Sequence, residues 1–333
     1  MKKISILLLI LTMVFLVACD SNNNVNQDQS TEVDPNTPID LTVYGLNGPT
    51  SMGMIKMFEE GDQLEDFINI SYENVSQPDI VLGKLLKGEI DIAALPTNLA
   101  SIVYNKTEGA YKVAAVNTLG VLYIMTNEGV EVTSVGDLKG KTIYTSGLGA
   151  TPEYVLNHIL EAHGLVVGED VFVEYKASHS EVSTGLISGT MDIVMLPQPF
   201  VTVAMMNSDA EIALSLQDEW TVIESTDLAM GCIVVKTDLA ENRPEVVDTF
   251  LKHYETSILW VNKYPEQAGK LIEKHEVLAA AKLAELAIPK CNIVFMKNRE
   301  MVETMHGILT VLHESDPKSV GGKLPDEGFY YYK

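Results

Sequence analysis

The chain has 333 residues, with 46 acidic against 23 basic and a formal net charge of −23 at pH 7. That balance excludes a nucleic-acid binder, because neutralising phosphates requires a basic footprint. It also opposes electrostatic docking on anionic lipid and any broad attraction for anionic ligands.

The chain opens Met1-Lys2-Lys3, continues with an uncharged, largely apolar run from Ile4 to Leu16, and then reads Leu16-Val-Ala-Cys19. A basic start, a short apolar core and small residues before a cleavage point are the layout of an export signal, and the run is short for a membrane-spanning helix. Leu16-Val-Ala-Cys19 resembles a bacterial lipobox. Residues 1–18 therefore read as a lipoprotein signal peptide and Cys19 as the lipid-bearing first residue of the mature chain. Each acyl CH₂ buried in a bilayer is worth about 0.8 kcal/mol, so two or more chains anchor firmly where one binds reversibly. Residues 19–38 are mostly Asn, Gln, Asp, Ser and Thr, bury almost nothing, and read as a disordered tether. Losing Lys2 and Lys3 with the signal lowers the 23 basic residues by two against 46 acidic ones, a mature formal charge of −25. The 315 residues left of 333 exceed what one core usually holds and suit two lobes.

Ile39 to Leu46 reads as a strand, Asn47 to Ser51 as a turn, and residues 51–60 as a helix. A second strand is expected over Phe67–Val75, an amphipathic helix over Pro78–Lys87, a buried strand over Ile90–Leu95 and a helix from Thr97 or Asn98 towards Lys106. After Lys141–Thr145 (strand) come a glycine-bearing loop at Ser146–Gly149, a helix over Thr151–His163 and a strand over Val171–Tyr175. Ser180–Ser188 then reads as a helix, Met191–Leu196 as a strand, Phe200–Met206 as a helix and Glu211–Leu216 as a closing strand. This βαβα order predicts mostly parallel sheets with helices on their faces.

The second series echoes the first. Leu85-Leu-Lys-Gly88-Glu-Ile-Asp91-Ile-Ala-Ala-Leu95-Pro96 returns as Leu186-Ile-Ser-Gly189-Thr-Met-Asp192-Ile-Val-Met-Leu196-Pro197, an offset of 101 residues, and Gly48-Pro-Thr50 returns as Gly149-Ala-Thr151. Two apolar runs lie outside the copies, Val113–Thr126 and Met230–Lys236, and suit an outgoing and a returning crossing between lobes. Beyond the second, Pro244 and Pro265 suit the first turns of helices, and the remainder is mainly helical. The expected division is lobe 1 at 38–124 plus 230–333, discontinuous, and lobe 2 at 125–229.

The carboxyl ends of parallel strands deliver helix starts, whose N–H groups suit electronegative atoms. Four such turns fall in two matched pairs, and with adjacent strand exits they bring forward Asn47, Gly48, Thr50, Ser51, Thr97, Asn98, Asn117, Ser146, Thr151 and Gln198 as ligand-binding candidates. Each also fits a simple cap or turn; the pairing is what favours a shared pocket. Tyr44, Tyr104 and Phe200 are candidates for an aromatic wall, with Tyr144 and Trp220 as further stacking surfaces, and core packing accounts for them equally well. Gly147-Leu-Gly149 is too short for a dinucleotide fingerprint, and no phosphate loop or nucleophile elbow occurs. Cys232 and Cys291 carry no metal or redox spacing and read as two thiols rather than a disulfide. The seven histidines are scattered and read as surface or local structural groups. Arg243 and Arg299, the two arginines, fall outside every candidate loop, which favours a neutral or weakly charged heterocycle over an anion clamped by a guanidinium fork.

Several spaced motifs then occur in order: the lipobox and tether, Asp137-Leu-Lys-Gly-Lys-Thr-Ile143, Gly164-Leu-Val-Val-Gly-Glu-Asp-Val171, Leu186 through Gln198-Pro199, and Pro244-Glu-Val-Val through Trp260-Val-Asn-Lys-Tyr-Pro265. Over about 39–315 the chain resembles ABC-importer substrate-binding lipoproteins, in the group serving nitrate, sulfonate, taurine and thiamine-pyrimidine precursors. The resemblance implies a type II periplasmic-binding-protein-like α/β fold of two lobes, joined by two crossover strands, with a mostly helical C-terminal region. It further implies a monomer without enzymatic activity or cofactor, lipid-anchored on the extracytoplasmic face of the bacterial cell membrane. Such a protein passes its small-molecule ligand to an ABC permease with a cytoplasmic ATPase. It carries over Gly48, Thr50, Ser51, Thr97, Asn98, Ser146, Thr151 and Gln198 as ligand residues. The poverty of arginine departs from anion-binding relatives. A sulfonate or nitrate binder of the same fold, a sensory lipoprotein without transport, and an extracellular enzyme are the competing readings.

Overall fold

The computed structural model describes residues 37–61 and 63–332, so the expected signal, Cys19 and most of the tether lie outside the described residues. The first run comprises β1 (Ile39–Leu46), α1 (Pro49–Met52), α2 (Ile55–Glu60), β2 (Gln63–Glu65), β3 (Ile68–Val75), α3 (Pro78–Leu86), β4 (Ile92–Pro96), α4 (Thr97–Lys106) and β5 (Tyr111–Thr118). The second comprises β6 (Leu122–Thr126), β7 (Thr142–Thr145), α5 (Thr151–Ala162), β8 (Phe172–Tyr175), α6 (His179–Ile187), β9 (Ile193–Pro197), α7 (Phe200–Asn207), β10 (Glu211–Ser215) and α8 (Leu216–Glu224). The chain returns through β11 (Gly231–Lys236) and continues as α9 (Thr237–Asn242), α10 (Pro244–Lys263), α11 (Pro265–Lys274), α12 (Ala281–Ala287), β12 (Ile293–Met296) and α13 (Asn298–Ser315).

These elements build two sheets, β12-β5-β11-β4-β1-β3-β2 and β10-β6-β9-β7-β8. Within them β3-β1-β4 and β8-β7-β9 are parallel and run in the same order. The returning β11 lies antiparallel to β4 with Gly231 opposite Pro96, and β6 lies antiparallel to β9 with Leu122 opposite Pro197. The echo is thus architectural. Register refines it: Tyr44 and Tyr144 are equivalent, opposite Glu73 and Glu174, whereas α3 and α6 keep the 101-residue spacing. The connection from β7 to β8 is therefore one residue longer than that from β1 to β3.

Two local departures from the expected elements have clear causes. The helix expected over residues 51–60 divides at Gly53, where α10 presses close: an added Cβ would stand 2.9 Å from Ile258 Cγ1, and Ser257 Oγ donates to the Gly53 carbonyl at 2.6 Å. Short β2 and β12 and helices α8 and α9 join the expected set, β12 holding the edge of the first sheet against β5.

The first crossing, Leu119–Val121, is pinned by side-chain amides on both edges. Gln217 Oε1 accepts from Gly120 N at 2.9 Å and from Leu228 N at 3.2 Å, so one carboxamide holds both crossings. Asn292 Nδ2 donates to the Gly120 carbonyl at 2.5 Å, and Leu119 N donates to the Asn292 carbonyl at 3.0 Å.

Apolar packing joins the sheets on one side. A single cluster includes Leu95 and Val116 of the first sheet, Ile143 and Met195 of the second, Trp220 of α8, and Met301, Met305 and Leu309 of α13. A separate cluster covers the outer face of the first sheet, where α10 buries Val246, Val247, Phe250, Tyr254, Ile258 and Val261 at helical spacing. Cys232 and Cys291 are free and fully buried, and burial pushes both thiols up.

Candidate functional site

A cavity of about 420 Å³ opens between the two sheets at the carboxyl ends of their parallel strands. The first half contributes Pro49 and Thr50 of α1, Pro78 of α3, Pro96 and Asn98 around the start of α4, and Thr118. The second contributes Gly147, Ala150, Thr151 and Pro152 before and within α5, His179 of α6, and Gln198 before α7, while Val121 and Met230 come from the two crossings. A roomier crevice of about 600 Å³ lies along Thr126–Thr133 and Asp209–Ala213, but Glu128, Glu131, Asp209 and Glu211 line it and it meets no helix start. The interlobe cavity is the place where the helix starts converge.

None of its lining side chains is an acid, a lysine or an arginine. Arg243 pairs with Glu245 at 2.5 Å and Arg299 with Glu303 at 2.6 Å, both away from the cavity. His179 is the one titratable group in the lining, and burial lowers its pKa from the ordinary 6.5, so the ring is neutral at neutral pH. Helices α1, α4, α5 and α7 start here without a side-chain cap. Part of their first-turn donor capacity is already used: Ser51 N and Met52 N donate to the Gly48 carbonyl, Thr97 N to the Met230 carbonyl and Glu153 N to the Ala150 carbonyl, while Pro49 and Pro152 have no N–H.

Two polar heads are held from behind by hydroxyls. Gln198 is 3 % exposed, its Oε1 accepts from Thr202 Oγ1 at 2.8 Å, and its Nε2 has no partner among the described residues. His179 Nδ1 lies 2.6 Å from Ser146 Oγ, and the ring leans on Phe200 with centroids 5.5 Å apart.

Residues 68–268, more than half of the chain, match the NMT1/THI5 like family. The chain belongs to that family. No curated protein matches it. An ABC transporter structure from Parabacteroides distasonis superposes with a TM-score of 0.74 at 25% identity, covering 87% of this chain and 98% of that one. The periplasmic aliphatic sulphonate binding protein SsuA from Escherichia coli gives a TM-score of 0.70 at 16% identity, covering 87% and 93%. The ligand binding component of an ABC-type import system from Staphylococcus aureus, with zinc bound, gives 0.64 at 13%, covering 87% and 95%. The fold of this NMT1/THI5-like chain is that of the two-lobed periplasmic binding proteins, as the motif order implies.

Of the residues brought forward from sequence, Thr50, Asn98, Thr151 and Gln198 line the cavity. Gly48 sits one residue outside it, and its carbonyl accepts from Ser51 N and Met52 N at the start of α1. Thr97, Asn117 and Ser146 stand behind the wall with their polar atoms engaged. Thr97 Oγ1 donates to the Ala229 carbonyl at 3.0 Å, Asn117 Nδ2 donates to the Thr50 carbonyl at 3.1 Å, and Ser146 holds His179. Ser51 is fully buried, and Asn47 lines a different crevice with Phe58, Tyr72, Asn74, His275 and Glu276.

The aromatic wall is corrected. Tyr44 is 2 % exposed and its hydroxyl donates to Glu73 at 2.5 Å across the β1–β3 pair; Tyr104 packs on Phe329 and donates to Asp326. Neither lines the cavity, nor do Tyr144 and buried Trp220, and Phe200 touches it only through His179. Four prolines, at 49, 78, 96 and 152, supply the flat apolar surface instead. His179 and Gly231 are the residues that sequence reasoning passed over. Gly231 lets β11 pass behind the wall: a Cβ there would stand 2.6 Å from Asn117 Oδ1 and 2.8 Å from Thr50 Cγ2.

Proposed function

We propose that this chain is the solute-binding component of an ABC importer. It is held by a lipid on Cys19 at the extracytoplasmic face of the membrane, and it captures a neutral or weakly charged heterocycle between its lobes. The observation that carries the ligand class is the lining: apolar prolines, uncapped helix starts and neutral polar heads, with no charged side chain. Desolvating a bare anion there would rest on backbone and neutral donors alone, whereas a heterocycle needs only a few placed hydrogen bonds and apolar contact. The neighbouring structures named for ABC transport and import support the transport role. Among the described residues no helix is long and apolar enough to cross a membrane. Contacts to both lobes in a closed form would supply the differential affinity that favours closure, and a permease would read that form.

A second reading has its own support. Uncapped helix starts also suit an oxyanion, and SsuA is named as a sulphonate binder. Isothermal titration against a panel of heterocycles and sulfonates separates the two: heterocycle binding with weak sulfonate binding is expected, and tight sulfonate binding with no heterocycle binding overturns the ligand class. A cell carrying a permease and ATPase gene beside this one takes up the bound compound, and deletion of this chain abolishes that uptake. A sensor-kinase neighbour and unchanged uptake would instead mark a sensory lipoprotein.

A further inference from the structure

A second crevice, of about 360 Å³, lies on the first half, lined by Asn47, Phe58, Tyr72, Asn74, His275 and Glu276. Asn47 follows β1, Tyr72 and Asn74 lie two apart on β3 and so share a face, Phe58 belongs to α2, and His275 and Glu276 follow α11. The turn over residues 47–50 thus serves two hollows: Pro49 and Thr50 line the interlobe cavity, and Asn47 lines the crevice. The second half does not repeat these side chains. Register puts Val173 opposite Ile143 and Tyr175 opposite Thr145, where the first half has Tyr72 opposite Val43 and Asn74 opposite Gly45. A Cβ on Gly45 would stand 2.7 Å from Asn74 Oδ1, so the bare backbone there makes room for the carboxamide.

Three rings meet in this crevice. Phe58 lies against Tyr72 with centroids 4.5 Å apart and planes tilted by 53°, and His275 stands edge-on to Phe58 at 6.0 Å. Glu59 Oε2 lies 2.9 Å from His275 Nε2 and holds that ring, and the same carboxylate takes up Lys274 Nζ at 2.7 Å. Glu276 is then the carboxylate of the lining, which contains no lysine and no arginine. It adopts φ 56°, the left-handed position after a helix where glycine is least strained, and it carries an exposed acid there. Aromatic faces are electronegative and apolar at once, so beside a carboxylate they suit a cation whose charge is wrapped in alkyl groups. A compact, strongly hydrated ion would lose more water than such rings replace.

We propose that this crevice is a second small-molecule site, for an organic ammonium cation with alkyl groups on its nitrogen, packed against Phe58 and Tyr72 with Glu276 as the counter-charge. An uncharged body of the same shape keeps the apolar contact and loses the attraction. The site does not depend on what the interlobe cavity binds.

The test titrates choline and its uncharged carbon isostere 3,3-dimethylbutan-1-ol into the full chain at about pH 8, where an ordinary imidazole is neutral. Wild-type protein is expected to prefer choline by on the order of tenfold. Glu276→Gln and Tyr72→Leu each bring that ratio towards one, whereas Gln198→Leu, in the interlobe cavity, leaves it unchanged. Choline is expected to shift the ¹⁵N-detected backbone amides of Asn47, Asn74 and Glu276. No preference in the wild type, a preference that survives both E276Q and Y72L, or one lost in Q198L and kept in E276Q overturns the site. Shifts confined to Gly147, Thr151 and His179 overturn it too, because they put the cation between the lobes. If Y72L fails to fold, E276Q, a change at an exposed side chain, and the amide shifts decide.

Discussion

The turns after β4 and β9 are built alike and used differently. Each gives its first backbone amide to a crossing: Thr97 N donates to the Met230 carbonyl at 3.3 Å, and Gln198 N to the Val121 carbonyl at 3.0 Å. From there they part. The Thr97 side chain closes onto the same crossing through Ala229, while Gln198, a cavity-lining residue, takes the Thr202 hydroxyl on Oε1 and leaves Nε2 buried without a partner among the described residues. The matched turns thus differ in what their side chains hold.

The comparison can be broken most forcefully through the core the halves share. Trp220 is fully buried in the cluster that joins both sheets, and Trp220→Ala is expected to cost about 3–5 kcal/mol and to lower both halves in a single transition. Two separate calorimetric transitions would show that the halves are energetically independent. Gly231→Ala comes next. Its Cβ meets Asn117 and Thr50 behind the wall, so about 1–3 kcal/mol of overpacking is expected, with weakened ligand binding as Thr50 shifts. Retained stability and affinity would mean that β11 has room to move.

Thr97→Val should cost about 1 kcal/mol by leaving the Ala229 carbonyl short of a partner, with ligand affinity nearly unchanged. A large affinity loss from T97V would erase the distinction between the two turns. The smallest effect is pH-dependent. His179 has a folded pKa below its ordinary 6.5, so below that value the unfolded chain binds a proton that the folded chain refuses. Its contribution is fully present above about 6.5 and is lost as pH falls towards the folded value. H179F should therefore lose less stability than wild type on acidification through this window, as read by urea melts at paired pH values.

Much of the frame was legible because its signals are local. Pro49, Pro78, Pro244 and Pro265 all sit in the first turns of helices, and the echo of Leu85–Pro96 in Leu186–Pro197 places two matched strands and their exits. β12 was not legible: four residues between helices acquire their role only by pairing with β5, far away in sequence. The same holds at the site. Tyr44 leaves the cavity because register sets it opposite Glu73, and His179 enters because β7 and its loop bring Ser146 beside it. Neither fact is written within a few residues of the side chain concerned. One signal did exist for His179: it occupies the helix start that Pro78 occupies one repeat earlier, and a titratable group replacing a proline beside a cavity is the place to look.

Native mass spectrometry of gently purified protein, followed by denaturing release, tests the central claim most directly. The account predicts one small uncharged molecule per chain, lost from Q198L protein that still folds, with a modestly lowered melting temperature because the buried Thr202 hydroxyl loses its acceptor. A released sulfonate or other strong anion, retained by Q198L, would contradict it.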